Sequence, residues 1–338
     1  IMKKTKNNTT PNNINTKATK KIGNWNKYNK SLQERGNITL YISRKLITKT
    51  ALAPKKTKLA GRPKKYSDDL ILLILTVRTV YHLPLRQTTG FVAGFLSAIG
   101  VNWSLPDYST LSRRMQKLEV DFCRDIRSKL NGQKLTLSLD SSGLKVYGEG
   151  EWKVRKHGCS YRRTWVETHI AVNDSRDILG LINTKSNVHD ASQFKPLIRA
   201  VKHNLPAGVI DTVIGDGAYD VNEFYHYAED EWFYFIAPPP KNATIRVTGG
   251  RRVGIKDQSG WEERNHIVSR IAEIGLESWK QEVGYHRRNI VENTFYRLKT
   301  IFGDKLRSRT VESQYTEQCI RASLINRYNR MGLPEYAG

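Results

Sequence analysis

The spacing of hydrophobic residues changes near residue 132, from helical periodicity to the alternation typical of β-strands. Before this point, apolar residues recur at intervals of three and four, which is the period of one helix face. The first such group is Leu70, Leu73, Ile74 and Val77. Residues 22–131 are therefore predicted to form a mainly helical region.

Capping residues set the limits of three predicted helices in this region. Ser67 is expected to cap the first, Pro84 begins the second, and Gly100 ends it. The third is predicted to begin with Ser109 and Thr110 as caps and to continue to the end of the region. Three helices in this order are similar to a helix-turn-helix DNA reader, and an ordinary helical bundle with a solvated basic face fits equally well.

From residue 133 the pattern is that of strands. In KLTLSLD, three leucines point to one face, and the polar side chains, ending in Asp140, point to the other. The following Ser-Ser-Gly is expected to reverse the chain, so Asp140 is predicted to close a strand. Later segments are strands at 164–173 and 177–185, a helix at 192–205 capped by Ser192, a strand ending at Asp216, a helix at 222–231, an aromatic strand at 232–240 and a helix near 286–303.

This order of elements predicts an α/β fold, a mixed sheet flanked by helices. Residues 241–280 form a Gly/Arg/Lys-rich insertion within the second region. An exposed tryptophan there, Trp261 or Trp279, would be able to stack on an unpaired base, although at least one of the two is expected to lie in the core.

Charge then narrows the choice of partner. The chain carries a formal net charge of +24, and residues 1–66 contain 18 Lys or Arg against one acid, Glu34. This excess favours a polyanion such as DNA or RNA, and a solvated tail without a partner is the alternative. Residues 1–21 are predicted to be a disordered basic tail. Arg62, in a Gly-Arg-Pro that resembles a minor-groove arm, is a candidate DNA contact, and so are Arg113 and Arg114 on the third predicted helix.

Other classes of protein fit poorly. The three cysteines are far apart and form no zinc-binding pattern, and their sparseness suits a reducing compartment. No signal peptide is visible, and the longest apolar run, residues 70–77, is too short to span a bilayer. A soluble, cytoplasmic protein is expected.

Three carboxylates are the candidate catalytic groups. Asp140 and Asp216 each end a predicted strand, where sites in α/β folds usually lie. If their strands are neighbours, the two acids need a cation to remain ionised together, and hard oxygen ligands select Mg²⁺ or Mn²⁺. On the last helix, Arg288, Glu292 and Lys299 fall within roughly 40° of one another, beside an apolar stripe that would pack on the sheet.

The spacing of these helical residues resembles a known signature. Tyr285, Arg288, Glu292 and Lys299 match the pattern Y-(2)-R-(3)-E-(6)-K. With Asp140 in LSLDSSG and Asp216 in IGDGAYD, the chain resembles DDE transposases of bacterial insertion sequences over roughly residues 22–333. PDYSTLSRR and NVHDASQF are also similar to that group.

The resemblance implies an RNase H-like catalytic domain over residues 132–333, preceded by a DNA-binding region. It implies cleavage at the transposon ends and attack of the freed 3′-OH on target DNA, with two Mg²⁺ or Mn²⁺ ions held by Asp140, Asp216 and Glu292. Tyr285, Arg288 and Lys299 would hold the DNA end. The implied partners are the terminal inverted repeats and target DNA, and the implied assembly is a homodimer near the bacterial nucleoid. A nuclease without strand transfer and a catalytically inactive DNA-binding protein remain alternatives.

Overall fold

The computed structural model describes residues 21–42, 64–146, 165–205, 209–245 and 261–335. Arg62 and residues 1–20 of the predicted basic tail lie outside these ranges. The helices of the first region are α1 Trp25–Gly36, α2 Asp68–Val80, α3 Leu85–Ala98, α4 Tyr108–Met115 and α5 Arg124–Leu130. The strands are β1 Leu135–Lys145, β2 Trp165–Asn173, β3 Ile178–Lys185, β4 Ile210–Ile214 and β5 Tyr234–Ile236. The remaining helices are α6 Phe194–Asn204, α7 Asn222–Asp230, α8 Trp261–Ile274, α9 Leu276–Glu282, α10 Asn289–Phe302 and α11 Val311–Met331.

The five strands form one mixed sheet in the order β3-β2-β1-β4-β5. β1, β2 and β3 are antiparallel neighbours, whereas β4 and β5 run parallel to β1. The parallel strands are linked through α6 and α7, since a parallel connection needs a crossover of this kind. This is an RNase H-like sheet flanked by helices, and it confirms the predicted α/β class.

Small residues let helices approach this sheet closely. A Cβ atom on Gly180 of β3 would lie 2.7 Å from Cγ2 of Val201 on α6. On another side, Val291, Phe295 and Leu298 of α10 are buried, as the apolar stripe predicted. The buried side chains form one cluster that runs from α2 to α11. The division into domains at residue 132 stays a prediction.

The predicted reversal after Asp140 is wrong, because β1 continues to Lys145. Residues Ser141 to Lys145 all pair with β2, ending at Lys145 opposite Trp165. The Ser-Ser-Gly sequence suggested a turn, but cross-strand pairing with β2 outweighs that local preference. Asp140 therefore lies within a long strand and does not end it.

Two predicted caps are also wrong. The third helix begins at Tyr108 and its cap is Asp107, two residues before Ser109. Oδ1 of Asp107 accepts hydrogen bonds from the Thr110 amide at 2.8 Å and the Ser109 hydroxyl at 2.7 Å. It ends at Met115, and α5 is a separate helix. Ser192 does not cap α6 either. Its hydroxyl donates to the His189 carbonyl at 2.6 Å within a short 3₁₀ turn, after which the helix begins.

Other local predictions are confirmed. The Ser67 hydroxyl caps α2 by accepting from the Leu70 amide at 3.2 Å, and Gly100 follows α3 with a φ of 75°. In the insertion, Trp279 is buried at 2% exposure and Trp261 is half-buried. Within the described ranges, no helix has the length and apolar character needed to cross a membrane.

Candidate active site

Three different elements supply the predicted catalytic carboxylates. Asp140 lies on β1, Asp216 follows the end of β4, and Glu292 lies in the first turn of α10. The parallel register pairs Ser138 of β1 with Ile214 of β4. Each aspartate stands two residues beyond that last pair, so the register brings both to the same place on the sheet.

One guanidinium group joins the three acids. Nη2 of Arg288 lies 3.5 Å from Oδ2 of Asp140 and 3.9 Å from Oδ2 of Asp216. Nη1 of the same residue donates to Oε1 of Glu292 at 2.5 Å, one turn along the chain. Because both oxygens lie within 4 Å of the same nitrogen atom, Oδ2 of Asp140 and Oδ2 of Asp216 are also close to each other. All three acids therefore contact the same guanidinium group.

The charges in this cluster are incompletely balanced. Three carboxylates share one guanidinium, and Nε of Arg288 is buried without a hydrogen-bond partner among the described residues. Burial raises the pKa of Asp140. The positive charge of Arg288 opposes this increase, whereas the negative charges of Asp216 and Glu292 add to it. Burial alone would lower the pKa of Arg288, but its acidic neighbours, Asp140 foremost, raise it. The site therefore favours additional positive charge.

The sequence also leads to the expectation that Asp140, Asp216 and Glu292 converge to metal-bridging distance, and this arrangement does not meet it. Across the described ranges, no group of three or more His, Cys, Asp or Glu side chains is close enough to hold a metal ion as it stands. The three acids instead surround the guanidinium of Arg288, a group wider than an ion. The donors nevertheless suit Mg²⁺ or Mn²⁺, since all are hard carboxylate oxygens in a cluster short of positive charge.

The other two residues of the helical signature lie close by. Lys299 donates from Nζ to the Ser142 hydroxyl at 2.7 Å, and Ser142 is two residues from Asp140 on β1. Tyr285 is half-buried beside Trp279, with ring centroids 6.4 Å apart. Burial raises the pKa of Tyr285, and the charges of the acid cluster also act on it. All four signature residues therefore border one site.

Sequence reasoning overlooked Glu167, a further acid beside this site. It lies on β2 opposite Gly143, and a Cβ atom on that glycine would be 3.3 Å from Oε2 of Glu167. Burial raises the pKa of Glu167, the charges of Asp190 and Asp140 add to the increase, and Ser141 and Lys299 lower it. A charged residue in the middle of a strand-like run was the signal in the sequence.

Asp220 has a different environment, although it stands only four residues after Asp216. Its carboxylate accepts from Nε and Nη2 of Arg264, the latter at 2.8 Å, and from the Tyr225 hydroxyl at 3.0 Å. Both charged side chains are almost fully buried, at 3% and 5% exposure. Asp220 does not cap α7, because this helix begins at Asn222 with Val221 as its N-cap residue and has no side-chain cap.

The two predicted DNA contacts on α4 also differ from each other. Arg114 donates to Oδ1 of Asp68 and, at 2.9 Å, to the Tyr66 carbonyl, and only 17% of its side chain is exposed. Arg113 is exposed, and its Nε donates weakly to the Ser109 carbonyl at 3.4 Å. A DNA-binding role for either arginine stays a prediction, and Arg62 lies outside the described residues.

Comparison with known families agrees with the fold. A family model described as "Transposase DDE domain" matches residues 131–327, and a second with the same description matches residues 33–149. The first model covers more than half of the chain. The class defined by the fold and the site is that of RNase H-like proteins with clustered acids. The chain belongs to the DDE transposases.

Solved structures also show similarity, at low scores. One is described as "Drosophila P element transposase strand transfer complex". It is 11% identical, with 89% of this chain and 86% of that chain covered and a TM-score of 0.32. Another, "Crystal structure of the Mos1 Strand Transfer Complex", is 10% identical, with 82% and 80% covered and a TM-score of 0.22. Similarities this low carry no argument, and the family assignment rests on the domain models.

Proposed function

We propose that this protein is a metal-dependent DNA transposase that cuts the ends of its element and joins the freed 3′-OH to target DNA. One observation carries the proposal. Acids from β1, from the end of β4 and from α10 meet at Arg288, with too little positive charge to balance them. The family supports the same chemistry, because DDE transposases generally use divalent metals.

We assign the ligand role to Asp140, Asp216 and Glu292. Two divalent ions, Mg²⁺ or Mn²⁺, supply Lewis-acid stabilisation of the attacking and leaving oxygens when bound. Arg288 would release the carboxylates in that state, since its positive charge is then no longer needed there. Its freed guanidinium is suited to a DNA phosphate, which matches the fork of its donors as a carboxylate does.

We propose that the DNA end binds on one side of the site, where Tyr285, Arg288 and Lys299 lie. Lys299 donates to a neutral hydroxyl, that of Ser142, so its charge is not cancelled by that bond. A phosphate that approaches three carboxylates is repelled unless cations lie beside its path. Lys299 and Arg288 meet this need, because both lie within a few residues of the acids.

The partners follow from the same reaction. Double-stranded DNA, as terminal inverted repeats and as target, is the substrate, and the net charge of +24 favours it. Two ends must be held together for joining, so we propose a homodimer in the synaptic complex. In a bacterial cell, such a protein would act at the nucleoid.

The test is a cleavage and joining assay with Mg²⁺ and DNA that carries the element's inverted repeats. Asp140→Ala and Glu292→Ala are compared with the parent, and Asp174→Ala is the matched control, since Asp174 is an exposed acid bound to Arg287 at 3.2 Å. The proposal expects cutting and joining by the parent and the control only. Cutting without joining would favour a nuclease. Binding without cutting in all four proteins would make the chain a DNA-binding protein without catalytic activity.

A further inference from the structure

A second cationic region lies between the helices of the first region and the segment that follows α10. Two adjoining hollows of about 730 and 740 Å³ meet there and share Arg78, Leu85, Arg307 and Arg309 as lining residues. Among the described residues, no carboxylate lines either hollow. The cationic lining, here named the arginine groove, consists of Arg78, Arg86, Arg113, Lys305, Arg307 and Arg309.

Arg78 shows that the groove is short of negative charge. Only 6% of the surface of Arg78 is exposed, and its Nε has no hydrogen-bond partner among the described residues. Its Nη1 donates to Sδ of Met115 at 3.5 Å, and a thioether is a weak acceptor. Burial lowers the pKa of Arg78, and the charges of Arg307 and Arg321 lower it further, against Glu317. A buried arginine is normally paired with an acid, and Arg78 forms no ion pair with any residue that the structure describes.

Glu317, the acid that acts on Arg78, is already bound to other groups. Its carboxylate accepts from the backbone amides of Arg307 and Ser308 and from the Ser308 hydroxyl. It also accepts from Nη2 of Arg321 at 2.8 Å, and both of those side chains are buried. Glu317 thus fixes the backbone of the segment, while Arg307 and Arg309 remain exposed along it.

The groove is joined rigidly to the elements that carry the acids. The last turn of α10, Thr300 to Phe302, lines it, and Glu292 is in the first turn of the same helix. The segment 304–306 also bonds to the end of β1, through the Lys145 amide to the Asp304 carbonyl at 2.9 Å and the Leu306 amide to the Lys145 carbonyl at 2.8 Å. Ten helical residues separate Glu292 from Phe302, which is roughly 15 Å along the axis.

We propose that the arginine groove binds the phosphate backbone of duplex DNA whose end lies at the acid cluster, a role that rests on the proposed function. With a rise of about 3.4 Å per nucleotide along the axis, the near end of the groove corresponds to about four base pairs from the cut. The Ser112 hydroxyl at its border adds a neutral donor of the kind that binds phosphate oxygens.

Six cations favour a polymer over a small anion. One free phosphate group carries a charge of at most about −2 and contacts only a small part of a groove that is lined with cations along its length. A DNA strand instead places one charge at each nucleotide, so successive phosphates can meet successive arginines. Backbone contacts of this kind fix the position of the duplex and carry no base specificity.

Binding without divalent metal tests the groove separately from catalysis. The double variant Arg86→Gln/Arg113→Gln is compared with the parent and with a matched double variant, Arg124→Gln/Arg270→Gln. The control arginines lie outside the groove and pair with Asp125 at 3.5 Å and Glu282 at 3.1 Å. Fluorescence anisotropy with a labelled duplex carrying the inverted repeat gives Kd at several salt concentrations. Melting temperatures show whether each variant is folded.

The groove variant should bind about tenfold more weakly than the control, and its slope of log affinity against log salt should fall by about 2, one unit for each lost phosphate contact. Neutral methylphosphonates about four to eight nucleotides from the end should weaken binding by the parent and not by the groove variant. Equal Kd values and slopes for the groove variant and the control would overturn the proposal.

The outcome with Mg²⁺ distinguishes this proposal from the proposed function. If the parent cuts DNA and the groove variant binds DNA as tightly as the control does, the transposase activity stands and the proposed DNA contact at the groove is excluded. A parent that does not cut, but whose affinity and salt slope depend on Arg86 and Arg113, overturns the activity and keeps the groove as a DNA contact.

Discussion

Asp216 and Asp220 stand four residues apart, and the structure gives them opposite surroundings. Asp220 is buried, and Arg264 and Tyr225 satisfy both of its oxygens. Asp216 is 37% exposed, and the nearest guanidinium nitrogen is 3.9 Å away, in a residue that also serves Asp140 and Glu292. Around Asp220 one cation meets one anion, whereas around Arg288 one cation meets three.

The charge of Asp220 is therefore structural, whereas the charge of Asp216 remains able to bind a further cation. A buried pair in which both carboxylate oxygens already accept hydrogen bonds has no use for another cation, and losing either partner is costly. Three carboxylates with one guanidinium carry a net charge of −2, so a divalent cation would neutralise the cluster. The same reasoning distinguishes Arg114, which is held by Asp68, from Arg113, which borders the arginine groove and has no ion pair with the described part of the chain.

The largest expected effect is on catalysis, for Asp216→Asn. We expect cleavage of the inverted-repeat DNA to fall by about a hundredfold to a thousandfold, the range found when a group that stabilises the transition state is lost. The free energy of unfolding should change by less than about 0.5 kcal/mol. The Ala218 amide donates to Oδ1 of Asp216 at 3.0 Å in the parent, and the asparagine oxygen can accept the same hydrogen bond. Single-turnover cleavage and urea unfolding measure the two quantities. A stable variant that keeps full activity would remove Asp216 from the site.

The second prediction concerns Asp220→Asn, which should show the reverse. Arg264 would keep a buried charge without its partner, and we expect the free energy of unfolding to fall by about 3–5 kcal/mol. The protein that remains folded should cut DNA at a rate near that of the parent. Urea unfolding and active-site titration of the soluble fraction measure this. An unchanged unfolding midpoint would show that the ion pair is not structural.

The third prediction concerns Arg288→Ala and metal binding. Without the guanidinium the carboxylates repel one another, and we expect about 1–3 kcal/mol of stability to be lost at neutral pH in the absence of divalent ions. Mg²⁺ or Mn²⁺ should then raise the melting temperature more in the variant than in the parent, since it no longer competes with the arginine. Arg287→Ala is the control, because Arg287 binds Asp174 instead. Equal metal-dependent shifts in both variants would contradict this competition.

The smallest effect is expected for the two arginines of α4. Arg114→Gln should cost about 1 kcal/mol of stability, through the lost Asp68 and Tyr66 bonds, and leave DNA affinity unchanged. Arg113→Gln should leave stability unchanged and lower DNA affinity by severalfold, with a salt slope smaller by about one unit. Anisotropy and thermal melting of both variants give the comparison. If Arg114→Gln weakened DNA binding as much as Arg113→Gln, an ion pair with a carboxylate would not prevent an arginine from binding DNA.

Patterns of neighbouring residues predicted most elements and the identity of the converging acids. The alternation around Leu137, the β-branched run before Asp216 and the apolar stripe of α10 all depend on periods of two or 3.6 residues, which a sequence displays directly. The signature from Tyr285 to Lys299 lies on one helical segment, so its geometry also follows from spacing alone. Turn signals were less dependable, because pairing of β1 with β2 carried the strand through Ser-Ser-Gly.

The sequence by itself determined the charge excess, the α/β class and the residues that carry the family signature. Only the tertiary structure decided which charges are already neutralised. Asp220 meets Arg264 across 44 residues and Arg114 meets Asp68 across 46, and the parallel register of β1 and β4 brings Asp140 beside Asp216. Such contacts depend on packing between distant segments, and local propensity contains no information about them.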